Sequence, residues 1–312
     1  MSGGRRVLGG FFRCLWLASA WVAAMAFPVA LAVRLTVRDE YPWTGLIFFA
    51  TPWPALWAMA FACTWRWRKT RMVFWLGGIT LACLGMWMWT SLKFGPKERP
   101  PGSFRISYWN VARPEKRLPR VLAEADEWHA DVLVFGEHRH SVTRPEWAGH
   151  FAPRAVTPLE WELLLVSEAP VKKVGGGSLA GRGGWQLCRV QVQGRDVNIL
   201  MVDFDSHPAK SREPAFKRLR EIVAMYADRP LIVLGDFNTP ADSVHFADLR
   251  RLVTPAFDRA GRGYAATWPM PAPVMELDHI LTNRHIRCVR CEHVTSIHSD
   301  HRAVVADLEF AP

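Results

Sequence analysis

An α/β sandwich, preceded by an all-α transmembrane region, is the architecture that this 312-residue sequence predicts. Three observations predict it. The first third contains three long apolar stretches that lack charged residues. The remaining two thirds interleave short apolar runs with amphipathic helical patterns, and some of the runs follow one another directly. Four motifs set a carboxylate at one end of such a run: Asp131-Val-Leu-Val-Phe-Gly-Glu137, Leu231-Ile-Val-Leu-Gly-Asp236-Phe-Asn238, Leu277-Asp278-His-Ile-Leu and Ser299-Asp300-His301. Strand–helix–strand order mixed with consecutive strands argues for sheets flanked by helices.

The apolar stretches are Leu15 to Val33, Trp43 to Trp65 and Met72 to Leu92. A helix needs about 20 apolar residues to cross a bilayer, so each is read as a span. A cleaved signal peptide is the alternative for the first, because Arg5 and Arg6 precede it. Its length and the two stretches that follow favour a span. Pro28, Pro52 and Pro54 interrupt these segments, which neighbouring helices in a membrane tolerate. Basic residues precede the first span (Arg5, Arg6, Arg13) and fill the second connection (Arg66, Arg68, Lys69, Arg71), which has no acid. The positive-inside rule then puts the N-terminus and that connection in the cytoplasm. Three spans deliver everything after Leu92 to the extracytoplasmic side of the cell membrane. Residues 1–92 are therefore a membrane domain with three transmembrane helices. The polar, Pro- and Lys-rich residues 93–102 read as a linker to a second domain over 103–312.

The net charge of +10 divides unevenly. Residues 1–99 carry 12 basic and 3 acidic side chains, and residues 100–312 carry 27 and 26. The basic excess thus reports membrane topology and is poor evidence for nucleic-acid binding, which favours a basic stripe. The six cysteines say little about redox compartment. Cys288-Val-Arg-Cys291, followed by His293 and His298, invites a zinc reading. It reads better as a strand in which residues three apart face opposite ways.

In the second domain, Phe104 to Trp109 is a first strand. Leu118, Val121, Leu122, Ala125 and Trp128 share a helical face over Leu118 to His129. Strands follow at Val132 to Phe135, Leu163 to Val166, Trp185 to Val192 and Val197 to Phe204. The glycine runs at 175–177 and 181–184 read as turns or a mobile loop. Pro214 begins a second amphipathic helix through Phe216, Leu219, Val223 and Tyr226. Leu231 to Leu234 is a buried strand, followed by a short helix near Ser243 to Leu252 and strands at Asp278 to Thr282 and Arg302 to Phe310.

Acids at strand ends converge at a sheet rim, where they repel one another unless a cation neutralises them. Hard oxygen ligands of this kind suit Mg²⁺ or Mn²⁺. At these residues the chain resembles the endonuclease/exonuclease/phosphatase superfamily of Mg²⁺-dependent phosphodiesterases. The resemblance runs from about Ser103 to Phe310. It includes Ser107-Tyr-Trp-Asn110-Val, the Glu137 motif, Leu163 to Val171, Gly235-Asp236-Phe-Asn238, Thr267-Trp-Pro269, Leu277-Asp278-His-Ile and Ser299-Asp300-His301. It implies two packed β-sheets flanked by helices, a four-layer sandwich.

It also implies roles. Glu137 and Asp300 hold the metal. Asp236 orients or deprotonates the attacking water, and Asn238 and Asn110 bind the phosphate. His301 contacts the scissile phosphate, and Asp278 fixes its imidazole. His279, next along the strand, points the other way and is structural. Two departures stand out. Gly136 replaces the Gln that usually precedes the metal-binding Glu. Asp203 stands where the family usually has a His, often assigned as the leaving-group acid, and His207 lies four residues later. Either Asp203 takes that role with a raised pKa, or His207 swings in toward the substrate, or the leaving group needs little acid. Trp268 packs under the site or stacks on a substrate ring.

The reading is a membrane-anchored, metal-dependent phosphodiesterase, nuclease or phosphatase acting on a lipid, a small phosphoester or nucleic acid. No protein partner is inferable. A catalytically silent membrane protein that uses the same fold as a binding module is the alternative.

Overall fold

The computed structural model describes residues 21–138 and 144–311. The chain divides into two compact units, which part between Thr90 and Ser91. The first contains helices α1 (Trp21–Leu35 among the described residues), α2 (Pro42–Ala50), α3 (Trp53–Arg66) and α4 (Met72–Ser91). By length and composition, α4 is the one single described helix able to cross a membrane. It carries Phe74, Trp75, Leu81 and Trp89 exposed. The second predicted span is not one helix. It is the pair α2 and α3, bent by 69° at Thr51–Pro52. Pro52 and Pro54 lack the amide protons that a continuous helix needs there. The buried Arg34 caps the break, donating to the carbonyls of Phe48 and Thr51. The start of the first predicted span, residues 15–20, and its flanking Arg5, Arg6 and Arg13 lie outside the described residues.

The second unit is built on two mixed sheets flanked by helices. Among the described residues the first sheet has eight strands. In spatial order they are β1 (Leu92–Phe94), β11 (Gly261–Tyr264), β13 (Ile286–Val294), β14 (Ala303–Phe310), β2 (Phe104–Asn110), β3 (Val132–Gly136), β5 (Leu164–Ser167) and β4 (Ala155–Pro158). The second has six: β10 (Thr254–Pro255), β12 (Asp278–Thr282), β9 (Leu231–Asp236), β8 (Arg195–Asp203), β7 (Gly184–Val192) and β6 (Lys172–Ser178).

Period-two alternation explains the layering. On β8, Val197, Ile199 and Met201 join the core between the sheets, while Leu200 and Val202 face the other way. There they meet Phe216, Leu219 and Val223 of α7 (Glu213–Ala224) and Phe246 of α8 (Phe246–Leu249). On the outer face of the first sheet, Leu133, Phe135, Leu164 and Val166 pack against α5 (Leu118–Asp126) and α6 (Arg144–Phe151). The order is helix, sheet, sheet, helix. Each fully buried aliphatic or aromatic side chain in these layers contributes about 1.5–3 kcal/mol.

Three expectations change in the structure. Residues read as a linker are tied to the second unit. Lys93 and Phe94 pair with Gly263 and Arg262, and Arg290 donates to the Lys97 carbonyl. Arg99 reaches Asp131 and the buried Asp307. The first glycine run is an edge strand, not a turn, because β6 lies against Trp185 and Gln186, and a Cβ at Gly176 would come within 2.2 Å of the Gln186 amide. Cys288 and Cys291 do not face opposite ways. A bulge between Cys288 and Arg290 resets the alternation, so both enter the inter-sheet core. Among the described residues they are free thiols and join no metal-binding cluster.

Candidate active site

Strand direction gathers the predicted residues at one end of the two sheets. β2 and β3 run parallel with Asn110 opposite Gly136, so Asn110 and Glu137 leave the first sheet together. β8 and β9 run parallel with Asp203 opposite Asp236. β12 runs antiparallel to β9 and begins with Asp278 opposite Asp236. β14 runs antiparallel to β2, so Asp300 and His301, just before it, arrive where β2 ends. Strand ends and strand starts thus deliver the four carboxylate motifs to the same rim.

Their side chains form a connected chain. The Asn110 amide donates to Glu137 Oε1 at 3.2 Å and to Asp236 Oδ2 at 3.1 Å. His301 Nε2 lies 3.9 Å from Asp236 Oδ2, and its Nδ1 contacts Asp278 Oδ2 at 2.8 Å. Asp236, Asp278 and His301 are buried, whereas Glu137 and Asp203 are half-buried and Asp300 is exposed. The Asp300 carboxylate accepts from the Trp268 indole at 3.2 Å. Asn238 donates to the Phe204 carbonyl at 2.8 Å and its backbone amide donates to Asp236. A carboxamide has a second N–H, which leaves Asn238 a donor for a ligand. His207 sits in an exposed turn where its Nδ1 accepts the Ala209 amide, so the structure joins Asp203, rather than His207, to the acids. His279 points away from the site, between Phe237 and Phe246.

The electrostatics are those of crowded carboxylates. Burial, then the charges of Asp236 and Glu137, push Asp203 up to about 8. Burial and Asp278 raise Asp236 to about 7, against the opposing pull of His301. Burial alone would depress His301, but Asp278 beside it prevails and raises it to about 10. His301 is therefore an imidazolium across the neutral range.

Local backbone holds these groups. Gly235 has φ 147°, and a Cβ there would lie 1.9 Å from the Val202 carbonyl oxygen, so only glycine lets β9 turn out toward Asp236. Glu137 and Asn238 have φ of 52° and 43°, a conformation that costs non-glycine residues about 1–2 kcal/mol.

Four contributors were not anticipated. Tyr108 lies beneath Gly136, where a Cβ would come within 2.3 Å of its hydroxyl. The Gln-to-Gly departure thus accompanies a tyrosine that fills the space. The Ser299 hydroxyl donates to the Asn110 carbonyl and accepts the His301 amide, and Trp109 donates to the His301 carbonyl. Arg113 pairs with Glu137 at 2.8 Å and with Glu162 at 2.9 Å. Nothing in the sequence distinguishes Arg113 from Arg117 nearby. Thr267-Trp-Pro269 contributes an isolated bridge from Trp268 to Met275. The Thr267 hydroxyl accepts the amides of Leu277 and Asp278.

The residues present fit a hard divalent cation. Asp278 Oδ1 is buried with no hydrogen-bond partner among the described residues. Asp236, Asp278 and His301 offer ligand atoms within 4.8 Å of one another. The His301–Asp278 pair occupies Nδ1 and Oδ2, so Asp278 orients the imidazole. Glu137 and Asp300 do not join that group among the described residues.

A family model for the Endonuclease/Exonuclease/phosphatase family matches residues 107–301, and no curated protein matches the chain. Among solved structures, a Bacteroides thetaiotaomicron endonuclease/exonuclease/phosphatase family protein is similar, with TM-score 0.57, 13% identity, and 68% of this chain and 100% of that chain covered. D. rerio TDP2 complexed with single strand DNA product gives TM-score 0.55 and 13% identity over 67% and 99%. Bacteroides thetaiotaomicron mannosyl-6-phosphatase gives 0.54 and 13% over 67% and 100%. These likenesses agree on the fold, and the family model, which spans more than half the chain and all four acidic motifs, assigns the membership. The chain belongs to the Endonuclease/Exonuclease/phosphatase family.

Proposed function

We propose that the chain is a membrane-anchored phosphoester hydrolase, working by in-line attack of water and assisted by Mg²⁺ or Mn²⁺. The observation that carries this reading is the unbroken series of contacts from Glu137 through Asn110, Asp236 and His301 to Asp278 at one sheet rim. Members of the family hydrolyse phosphoester bonds and generally use a divalent metal. Glu137 and Asp300 would hold the cation, whose charge would neutralise the phosphoryl oxygens and the departing oxyanion. Asp236 orients the attacking water. Asn110 and Asn238 donate to the phosphate, and the His301 imidazolium, steadied by Asp278, stabilises charge as it develops. Asp203, protonated near neutral pH, donates its proton to the leaving oxygen.

The two similar proteins above carry a single strand DNA product in one case and act as a mannosyl-6-phosphatase in the other. The near-neutral charge of residues 100–312 favours a lipid or small phosphoester over long DNA. The length of α4, the α2–α3 pair and the basic bias of residues 1–99 support an integral, multi-pass anchor with the catalytic domain outside the cytoplasm.

The test is a phosphoester panel spanning lipid, sugar phosphate and oligonucleotide substrates, run with Mg²⁺ and with EDTA. Turnover is expected with Mg²⁺ only, and is lost in Glu137→Ala. Full activity in EDTA would overturn the reading. Mg²⁺ binding without turnover on any substrate would favour the binding-module alternative.

A further inference from the structure

Both oxygens of Glu137 are engaged. Oε1 accepts from Asn110 and Oε2 pairs with the Arg113 guanidinium at 2.8 Å. A cation that uses Glu137 shares the carboxylate with these partners, and the Arg113 positive charge beside Oε2 opposes it. Asn110 is not free to leave. It is 1% exposed, its amide is shared with Asp236, and its carbonyl oxygen accepts the Ala112 amide. Arg113 is different. Its side chain is 54% exposed, and it holds a second carboxylate, Glu162, through Nε at 2.9 Å. It can release Glu137 and remain tethered at the mouth.

The backbone is shaped for this contact. Ala112, Arg113, Glu137 and Glu162 all have left-handed φ, between 48° and 52°. The Arg113 amide donates to the Glu137 carbonyl and the His138 amide to the Glu162 carbonyl. Three loops are thereby pinned so that one guanidinium bridges two acids. Left-handed backbone at non-glycine residues persists only where the surroundings hold it there.

Resting on the divalent-cation reading above, we propose that Arg113 is a built-in competitor of that cation. Its guanidinium neutralises Glu137 until the ion displaces it toward Glu162. Arg113 then sets the cation concentration at which the site loads, and it also limits repulsion among the acids before loading. A partly exposed ion pair is worth about 0–1 kcal/mol, so its removal changes affinity by several-fold rather than by orders of magnitude.

The experiment is calorimetric titration of the purified full-length chain in detergent with Mn²⁺, comparing wild type, Arg113→Gln, Arg113→Lys and Lys116→Gln. Lys116 lies three residues on, in the 3₁₀ turn Glu115–Arg117, and is exposed, so its substitution removes the same charge without freeing Glu137. Arg113→Gln is expected to bind Mn²⁺ about 3- to 5-fold more tightly. Arg113→Lys is expected to fall between it and wild type, and Lys116→Gln to stay within about twofold. The Mn²⁺-induced rise in melting temperature should be larger for Arg113→Gln than for wild type. If wild type binds Mn²⁺ and Arg113→Gln binds equally or more weakly, Arg113 is an organiser of Glu137 and the proposal falls while the hydrolase reading stands. An equal tightening in Lys116→Gln also sinks it, because general electrostatics then explains the effect. If no form binds Mn²⁺, the cation reading falls and this inference with it.

Discussion

The floor and the rim of the site are built from the same chemistry and held in opposite ways. On the floor, Asp236, Asp278 and His301 are buried; strand pairing fixes the two acids, and bonds to Ser299 and Trp109 fix His301. Burial with the charge of Asp278 raises Asp236, and Asp278 raises His301 against its burial. At the rim, Glu137, Arg113, Glu162 and Asp300 are partly or largely exposed and sit on loops. Arg113 pairs with Glu137 and Glu162, and the Trp268 indole donates to Asp300. The difference teaches that a single cluster of acids can divide into a preorganised part suited to positioning water and phosphate, and an exchangeable part suited to loading a cation.

The largest effect should come from separating these two parts. Asp236→Asn is expected to lower kcat by at least about 10³-fold, with Mn²⁺ affinity kept within a few-fold. Glu137→Gln should show the reverse pattern, with cation affinity as the main loss. Steady-state kinetics alongside Mn²⁺ titration would break the comparison if both variants lose affinity equally. A smaller effect is expected within the floor. Asp278→Asn frees the His301 ring and should cost about 10- to 100-fold.

Asp203 and His207 test where the floor ends. Asp203→Asn should reduce turnover by about 10- to 100-fold on substrates with poor leaving groups, and far less on activated aryl esters. His207→Ala should leave both rates unchanged. A loss in His207→Ala instead would move the acid role to the exposed turn.

The smallest effect concerns stability beneath the floor. Burial depresses His279 to about 4 in the folded chain, against an ordinary 6.5. Between those values the unfolded chain binds the proton and the folded chain does not. Stability is therefore complete above about pH 6.5 and declines as pH falls toward 4. His279→Phe, among Phe237 and Phe246, should flatten that decline by on the order of 1–3 kcal/mol. Denaturant midpoints between pH 7 and pH 4 would measure it, and an unchanged slope would remove His279 as the cause.

By itself the sequence determined the central strands, the two amphipathic helices and the acids at their ends, because alternation and period 3.6 are local properties of the chain, whereas edge strands such as β1, β4 and β6 left no such trace. Asp131 to Glu137 and Leu231 to Asn238 announce buried strands that finish in a carboxylate, and the face-to-face packing of their two sheets brings those ends to the same rim. Tertiary structure alone decided which partners those acids meet. Pro52 breaks an apolar run that reads as continuous. A bulge beside Cys288 reverses the facing that simple alternation assigns. Tyr108 fills the space above which Gly136 sits, and Arg113 closes on Glu137, because residues distant in sequence occupy the same few ångströms. Such contacts depend on loop conformation and on volume shared between strands, neither of which leaves a periodic trace in the chain.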